Sequence, residues 1–130
     1  NMTLELEKLS VLIADDDRSI RTVLGQALGR LGHEVRSTGT AANLWRWISD
    51  GEGDLVITDV VMPGLDGPAM IRKVREIHPD MRVVFISGYT EDSFRKRLDE
   101  DSGEIHFLPK PFTLQQLAGV VKEVMPDSAA

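Results

Sequence analysis

The chain contains no cysteine, which excludes disulfide staples, thiolate metal centres and a cysteine nucleophile, and is compatible with a reducing compartment. Aromatic residues are scarce, 5% of the total, so a core has to be built mainly from aliphatic side chains. No apolar run approaches the ~18 residues of a membrane span. Glu5, Glu7 and Lys8 interrupt Leu4, Leu6 and Leu9, so no signal peptide is expected and the chain reads as cytoplasmic. Positive charge is in deficit: 15 Lys and Arg against 21 Asp and Glu leave a formal net charge of −6. With no basic stripe and no DNA-reading module, direct binding to nucleic acid or to a membrane surface is not expected.

What is present is a chain of 130 residues, 42% apolar and 28% charged, the size of one globular domain with a real core. Short apolar runs alternate with helical patterns. Runs at 11–14, 54–58, 82–86 and 105–108 read as buried parallel strands, and 33–38, centred on Val35, as an edge strand. Between them the i, i+3, i+4, i+7 rule predicts a first helix buried through Ile20, Val23, Leu24, Ala27, Leu28 and Leu31, closed by Gly32 as C-cap. A second helix, capped by Thr40, buries Ala41, Leu44, Trp45 and Ile48, leaving Trp47 half-exposed or in a contact surface. The third starts near Pro68 and buries Met70, Ile71, Val74 and Ile77. A charged fourth helix is expected around 93–98. The fifth begins at Thr113, with Gln116 completing a capping box, and buries Leu114, Leu117, Val120, Val121 and Val124. Five βα units in succession predict an open, doubly wound, flavodoxin-like α/β sheet in the order 2-1-3-4-5. The domain is expected over 9–126, with a mobile segment at 1–8 and a tail at 127–130.

The charged residues are placed with respect to these strands. Asp15 and Asp16 follow the first apolar run, Asp59 the third, Ser87 the fourth, and Lys110 follows the fifth after Pro109. In such sheets the ligand crevice lies outside the carboxyl ends of the strands, at the switch between strands 1 and 3. Acids, a hydroxyl and an amine converging on one edge suit a divalent metal and a phosphoryl group. Taken singly, each residue has a plainer reading. Asp15 to Asp17 can cap a helix, Asp66 can form a turn, Thr58 can pack, and Lys110 can lie on the surface. His33, His78 and His106 lack metal-ligand spacing. Gly25 and Gly29, flanked by Arg21, Gln26 and Arg30, read as close soluble helix packing or as tolerated glycines. A lysine that turns back into a crevice while the chain leaves for a helix needs a sharp reversal, so a cis bond is expected before Pro111 and trans bonds before the other prolines.

The stretches 11–17, Asp59 to Gly67, Ser87 and Lys110-Pro111-Phe112 together resemble the receiver domain of two-component response regulators, over roughly residues 9 to 125. Residues 11–62 resemble receivers of nitrogen-regulator-type activators, and 67–125 those of cell-cycle hybrid histidine kinases. That pairing suggests a recombined chain, with mismatched packing expected around Ala27, Leu31, Leu117 and Val121. The resemblance implies Asp59 as the phosphorylated residue, with Lys110 and Ser87 on the phosphoryl oxygens. It implies Mg2+ held by Asp16 directly, Asp15 through water, Asp59 and the carbonyl of Val61. Ser87 and Phe107 would form the switch that alters the helix 4, strand 5, helix 5 face. The implied partner is a histidine kinase or histidine phosphotransfer protein, and the implied state a monomer able to dimerise on phosphorylation. Two alternatives compete. Asp15-x-Asp17 also resembles the nucleophile motif of haloacid-dehalogenase-type Mg-dependent phosphatases, although no further acid follows Lys110 until Glu123. The other is a pseudo-receiver interaction module without phosphorylation.

Overall fold

The computed structural model describes residues 8–88, 91–98 and 103–124. The elements alternate throughout: β1 (Ser10–Ala14), α1 (Arg18–Arg30), β2 (Glu34–Thr38), α2 (Ala41–Ser49), β3 (Leu55–Asp59), α3 (Gly67–Ile77), β4 (Arg82–Ser87), α4 (Glu91–Arg95), β5 (Ile105–Pro109) and α5 (Leu114–Val124). All strand pairs are parallel and the order is β2-β1-β3-β4-β5, as expected for a doubly wound sheet. The proposed N-terminal segment and tail lie outside the described residues, except for Lys8, whose ammonium meets Glu34 at 3.3 Å.

Alternation along the strands builds two cores. Leu12, Val56, Val83 and Phe85 face a layer containing Leu44, Ile48, Met70, Val74 and Phe94 from α2, α3 and α4. Val11, Ile13, Ile57, Val84 and Ile86 face Leu24, Leu28, Leu117, Val121 and Val124 from α1 and α5. Each fully buried aliphatic side chain contributes about 1.5 to 3 kcal/mol, so the two layers supply the stability that scarce aromatics do not. Leu117 and Val121, placed at the expected seam, are buried in this second layer.

Several expected faces differ in detail. Trp47 is 7% exposed and Trp45 39%, the reverse of the expectation. The α2 stripe is Ala41, Leu44, Trp47 and Ile48, and the Arg36 guanidinium covers the Trp47 ring at 4.3 Å from its centroid. An edge strand thus offers a lid for Trp47 that periodicity cannot see. Val23, Leu31, Ile77 and Leu114 are exposed, because each lies at the margin of its stripe, and Leu31, Ile77 and Leu114 also stand at or next to a helix end. The α4 helix begins two residues earlier than expected and is short, continued by turns from Arg97 N–H to Phe94 O and Leu98 N–H to Arg95 O. Its buried anchor is Phe94.

Helix ends follow local chemistry. Asp17 caps α1 by accepting from Ser19 N–H, and Thr40 caps α2 through Asn43 N–H. Asp66, expected as a turn former, is the N-cap of α3 and accepts from Ala69 N–H. Thr113 and Gln116 make the reciprocal capping box at 2.8 and 3.1 Å. Gly32 follows the α1 C-cap at φ 91°, a conformation that costs other residues a Cβ clash. The Lys110-Pro111 bond is cis, the only one among the described residues. No helix among the described residues is long and apolar enough to cross a membrane.

Candidate functional site

The sheet edge at the strand carboxyl ends gathers the charged residues. β3 extends through Asp59 and β4 through Ser87, one residue beyond expectation, so both belong to the strands and are held by the ladder. Asp15 immediately follows β1. Asp15 and Asp59 are buried, whereas Asp16 is exposed. One carboxylate oxygen from each of the three lies within 4.8 Å of the others.

Each acid is oriented by the backbone. Asp15 donates its N–H to Thr38 O at 3.1 Å and its Oδ1 accepts from Asp17 N–H at 2.8 Å. Its carbonyl accepts from Arg21 Nη1 at 2.7 Å. Asp59 Oδ1 accepts from Val61 N–H at 2.9 Å, which leaves Oδ2 to Lys110. The Lys110 ammonium donates to Asp15 Oδ2 at 3.4 Å and to Asp59 Oδ2 at 3.3 Å. Lys110 is itself set by its own N–H, which donates to Ser87 O at 3.0 Å. Sequence reasoning brought the acids, Ser87 and Lys110 to one edge, and the structure places them there.

The electrostatics are those of a crowded anion cluster. Burial raises the Asp15 carboxyl above its usual range, and the Asp59 charge adds to that, against the Asp17 N–H and Lys110, which lower it. For Lys110, burial works against the charged form, but Asp15 and Asp59 outweigh it and the amine is raised. Asp17 is lowered by its hydrogen bonds to the Ser19 hydroxyl and N–H. Asp17 is therefore engaged as a helix cap on the rim. A buried carboxylate disfavoured by burial and by a second carboxylate, open through exposed Asp16, is a donor set suited to a small divalent cation.

Three residues around the site escaped the sequence reading. Thr38 supplies the carbonyl for Asp15 and a hydroxyl that accepts from Thr40 N–H and Asn43 Nδ2. Gly39 leaves room for Arg21, since a Cβ there would lie 2.9 Å from Nη1. In the sequence Arg21 is only a polar flank of two helical glycines, and nothing but its place in the first turn of the helix that follows Asp15 signals more. Beside Asp16 a groove of about 670 Å3 is lined by Trp45, Pro63 and Leu65. Phe107 lies in an aromatic group with Phe94 and Phe85, at 5.6 and 6.1 Å between centroids, under Arg95 at 4.8 Å.

An open five-stranded sheet with this acid and lysine cluster at its switch point defines the class: a doubly wound α/β domain with its site at the carboxyl ends of the strands. Residues 11–122 match the family model described as response regulator receiver domain, and the chain belongs to that family. It is 50% identical over 116 residues to the DNA-binding transcriptional regulator NtrC of Azospirillum brasilense, covering 89% of this chain and 24% of that protein. The chain thus spans about a quarter of that relative's length. The crystal structure of the receiver domain from the hybrid histidine kinase CckA superposes with TM-score 0.72 at 31% identity, covering 90% of this chain and 99% of that one. The response regulator TrrA of Thermotoga maritima, solved in complex with Mg2+–BeF, gives TM-score 0.75 at 25% identity, covering 92% of this chain and all of that one. Both likenesses foreseen in the sequence are found, and each extends across residues 62–67 rather than ending there.

Proposed function

We propose that the chain is a phosphoacceptor receiver, taking a phosphoryl group from the phosphohistidine of a histidine kinase or phosphotransfer protein onto Asp59. The observation that carries this reading is the Lys110 ammonium shared between the buried Asp15 and Asp59 carboxylates at 3.4 and 3.3 Å. A cation fixed between two acids is poised to move onto a phosphoryl oxygen once one acid is converted to its acyl phosphate. Asp59 Oδ2 is the attacking atom, because it is the oxygen beside the Lys110 ammonium, while Oδ1 is held by the Val61 N–H. In the transfer the P–N bond to histidine breaks, the P–O bond to Asp59 forms, and the histidine nitrogen retains the electron pair. Asp15, Asp16, Asp59 and the Val61 carbonyl would hold Mg2+, as the TrrA complex with Mg2+–BeF supports. When bound, the ion supplies charge neutralisation to the transferring phosphoryl group. Hydrolysis of the aspartyl phosphate then resets the domain slowly.

Ser87 donates its hydroxyl to the phosphoryl group, and Phe107 responds by turning inward. The face of α4, β5 and α5 is the output surface. The domain occupies 9–126, works in the cytoplasm, and is a monomer able to dimerise on phosphorylation. The phosphatase alternative has less support, since its acid/base Asp17 is occupied in capping α1. The test is incubation with acetyl phosphate and Mg2+, with intact-mass measurement and gel filtration. The parent is expected to gain one acid-stable, alkali-labile phosphoryl group and Asp59→Ala none. Full incorporation by Asp59→Ala would overturn the assignment.

A further inference from the structure

We propose that Arg21 is a positioning residue for the acid loop, setting Asp15 and Asp16 for metal through a hydrogen bond to the backbone rather than through its charge. The inference rests on the receiver reading above. Asp15 is the hinge between β1 and α1, and three of its restraints belong to neighbouring strands or to its own loop: its N–H on Thr38 O, its Oδ1 under Asp17 N–H and its Oδ2 on Lys110. The fourth is Arg21 Nη1, 2.7 Å from the Asp15 carbonyl. Because the peptide unit is planar, fixing that carbonyl fixes the direction in which the chain enters Asp16. Asp16 is the exposed acid of the cluster, and its side chain makes no hydrogen bond or ion pair among those found for the described residues. Its backbone direction therefore sets the arc of rotamer positions that its carboxylate can reach.

Gly39 is the second part of the device. A Cβ at Gly39 would come within 2.9 Å of Arg21 Nη1, 3.5 Å of its Cζ and 3.8 Å of the Asp15 carbonyl oxygen. The β2–α2 turn thus passes over the guanidinium with no side chain in between, and Thr38 on the same turn holds the Asp15 N–H. One turn brackets both polar ends of Asp15: the N–H directly, and the carbonyl by seating the arginine. Gly39 φ lies outside the left-handed region, so alanine there acts by displacing the side chain and not by straining the backbone.

The sign of the effect separates positioning from charge. A cation beside three acids repels an incoming divalent ion, so charge alone predicts that removing Arg21 strengthens Mg2+ binding. Positioning predicts that removal weakens it, on the scale of about tenfold typical for residues that orient ligands from behind. The experiment measures Mg2+ dissociation constants by titration followed through tryptophan fluorescence and amide NMR, for the parent, Arg21→Met, Arg21→Lys and Gly39→Ala. The Mg2+ requirement for acetyl phosphate labelling is measured alongside. Expected are a dissociation constant raised about tenfold in Arg21→Met, a rise in the same direction in Gly39→Ala, and partial recovery in Arg21→Lys. The labelling rate at saturating Mg2+ should approach the parent's. Unchanged or tighter Mg2+ binding in folded Arg21→Met, or a labelling defect that saturating metal does not relieve, would overturn the proposal. Should Arg21→Met fail to fold, Gly39→Ala with parental affinity would overturn it equally. If the parent itself binds no Mg2+, the receiver reading fails first, and with a different signature.

Discussion

Replacing Asp15 with Asn should stabilise the metal-free protein. The carboxylate has no solvent exposure, and burying a charge carries an effective cost of several kcal/mol. An Asp59 oxygen within 4.8 Å adds repulsion of about 3 to 4 kcal/mol at an effective dielectric of ~20. Lys110 at 3.4 Å returns about 5 kcal/mol on the same footing. The Asp17 N–H lowers the carboxyl as Lys110 does, but burial and Asp59 prevail, and the balance is a net penalty on the charged form, in the direction of the raised Asp15 carboxyl. Asn keeps an oxygen for the Asp17 N–H, and Lys110 keeps Asp59. The pH dependence has a definite sign: a group whose folded pKa is raised gives its full stabilisation below its unfolded value of 3.8 and loses it as pH rises through the folded value. The advantage of Asp15→Asn should therefore be present at neutral pH and disappear toward pH ~4. Urea unfolding in EDTA at several pH values reads this directly. In saturating Mg2+ the order should invert, since the parent gains about 2.7 kcal/mol at a hundred times its dissociation constant by mass action. A metal-free Asp15→Asn less stable than the parent at neutral pH would show that Lys110 outweighs burial and refute the reasoning.

His33 accepts from Leu9 N–H at 3.0 Å through Nδ1, and burial lowers its pKa. Its contribution is present above the unfolded value near 6.5 and lost as pH falls through the folded value, so the urea midpoint should drop on acidification, with the drop reduced in His33→Gln. Gly67→Ala would set a Cβ 2.9 Å from the Phe94 ring and should cost about 1 to 3 kcal/mol by overpacking, with amide shifts concentrated in α4; shifts confined to α3 would contradict this. Among single-tryptophan variants, the one retaining Trp47 should emit at shorter wavelength and resist acrylamide, and the one retaining Trp45 should be quenched; equal quenching would refute the burial of Trp47.

The sheet was legible because three of its strands carry uninterrupted apolar runs and a fourth is broken only by His106, and the site was legible because each chemical residue stands at or just beyond the end of one. The margins were not. Whether Val23, Leu31, Ile77 and Leu114 are covered depends on how far the neighbouring element reaches, which periodicity does not encode. Trp45 and Trp47 lie on opposite margins of one stripe, and Arg36 on a strand edge, supported by its ion pair to Glu52, decided between them. Arg21 and Gly39 were invisible for a related reason: their partner is a carbonyl, a group every residue carries, so no residue type marks the contact.

Lys110 reaches Asp15 across 95 positions of the chain and Asp59 across 51. Until β5 docks, the two carboxylates face each other without their counter-ion, and bringing it so far along the chain carries a loop-closure cost before any contact repays it. On the proposed function, competence for phosphorylation depends on completion of the sheet. Any intermediate that has formed β1 and β3 but not β5 holds a crowded pair of anions and no cation, and is both strained and silent. Labelling by a phosphodonor during refolding should consequently lag behind the appearance of helical signal, making chemical activity a late reporter of the last strand.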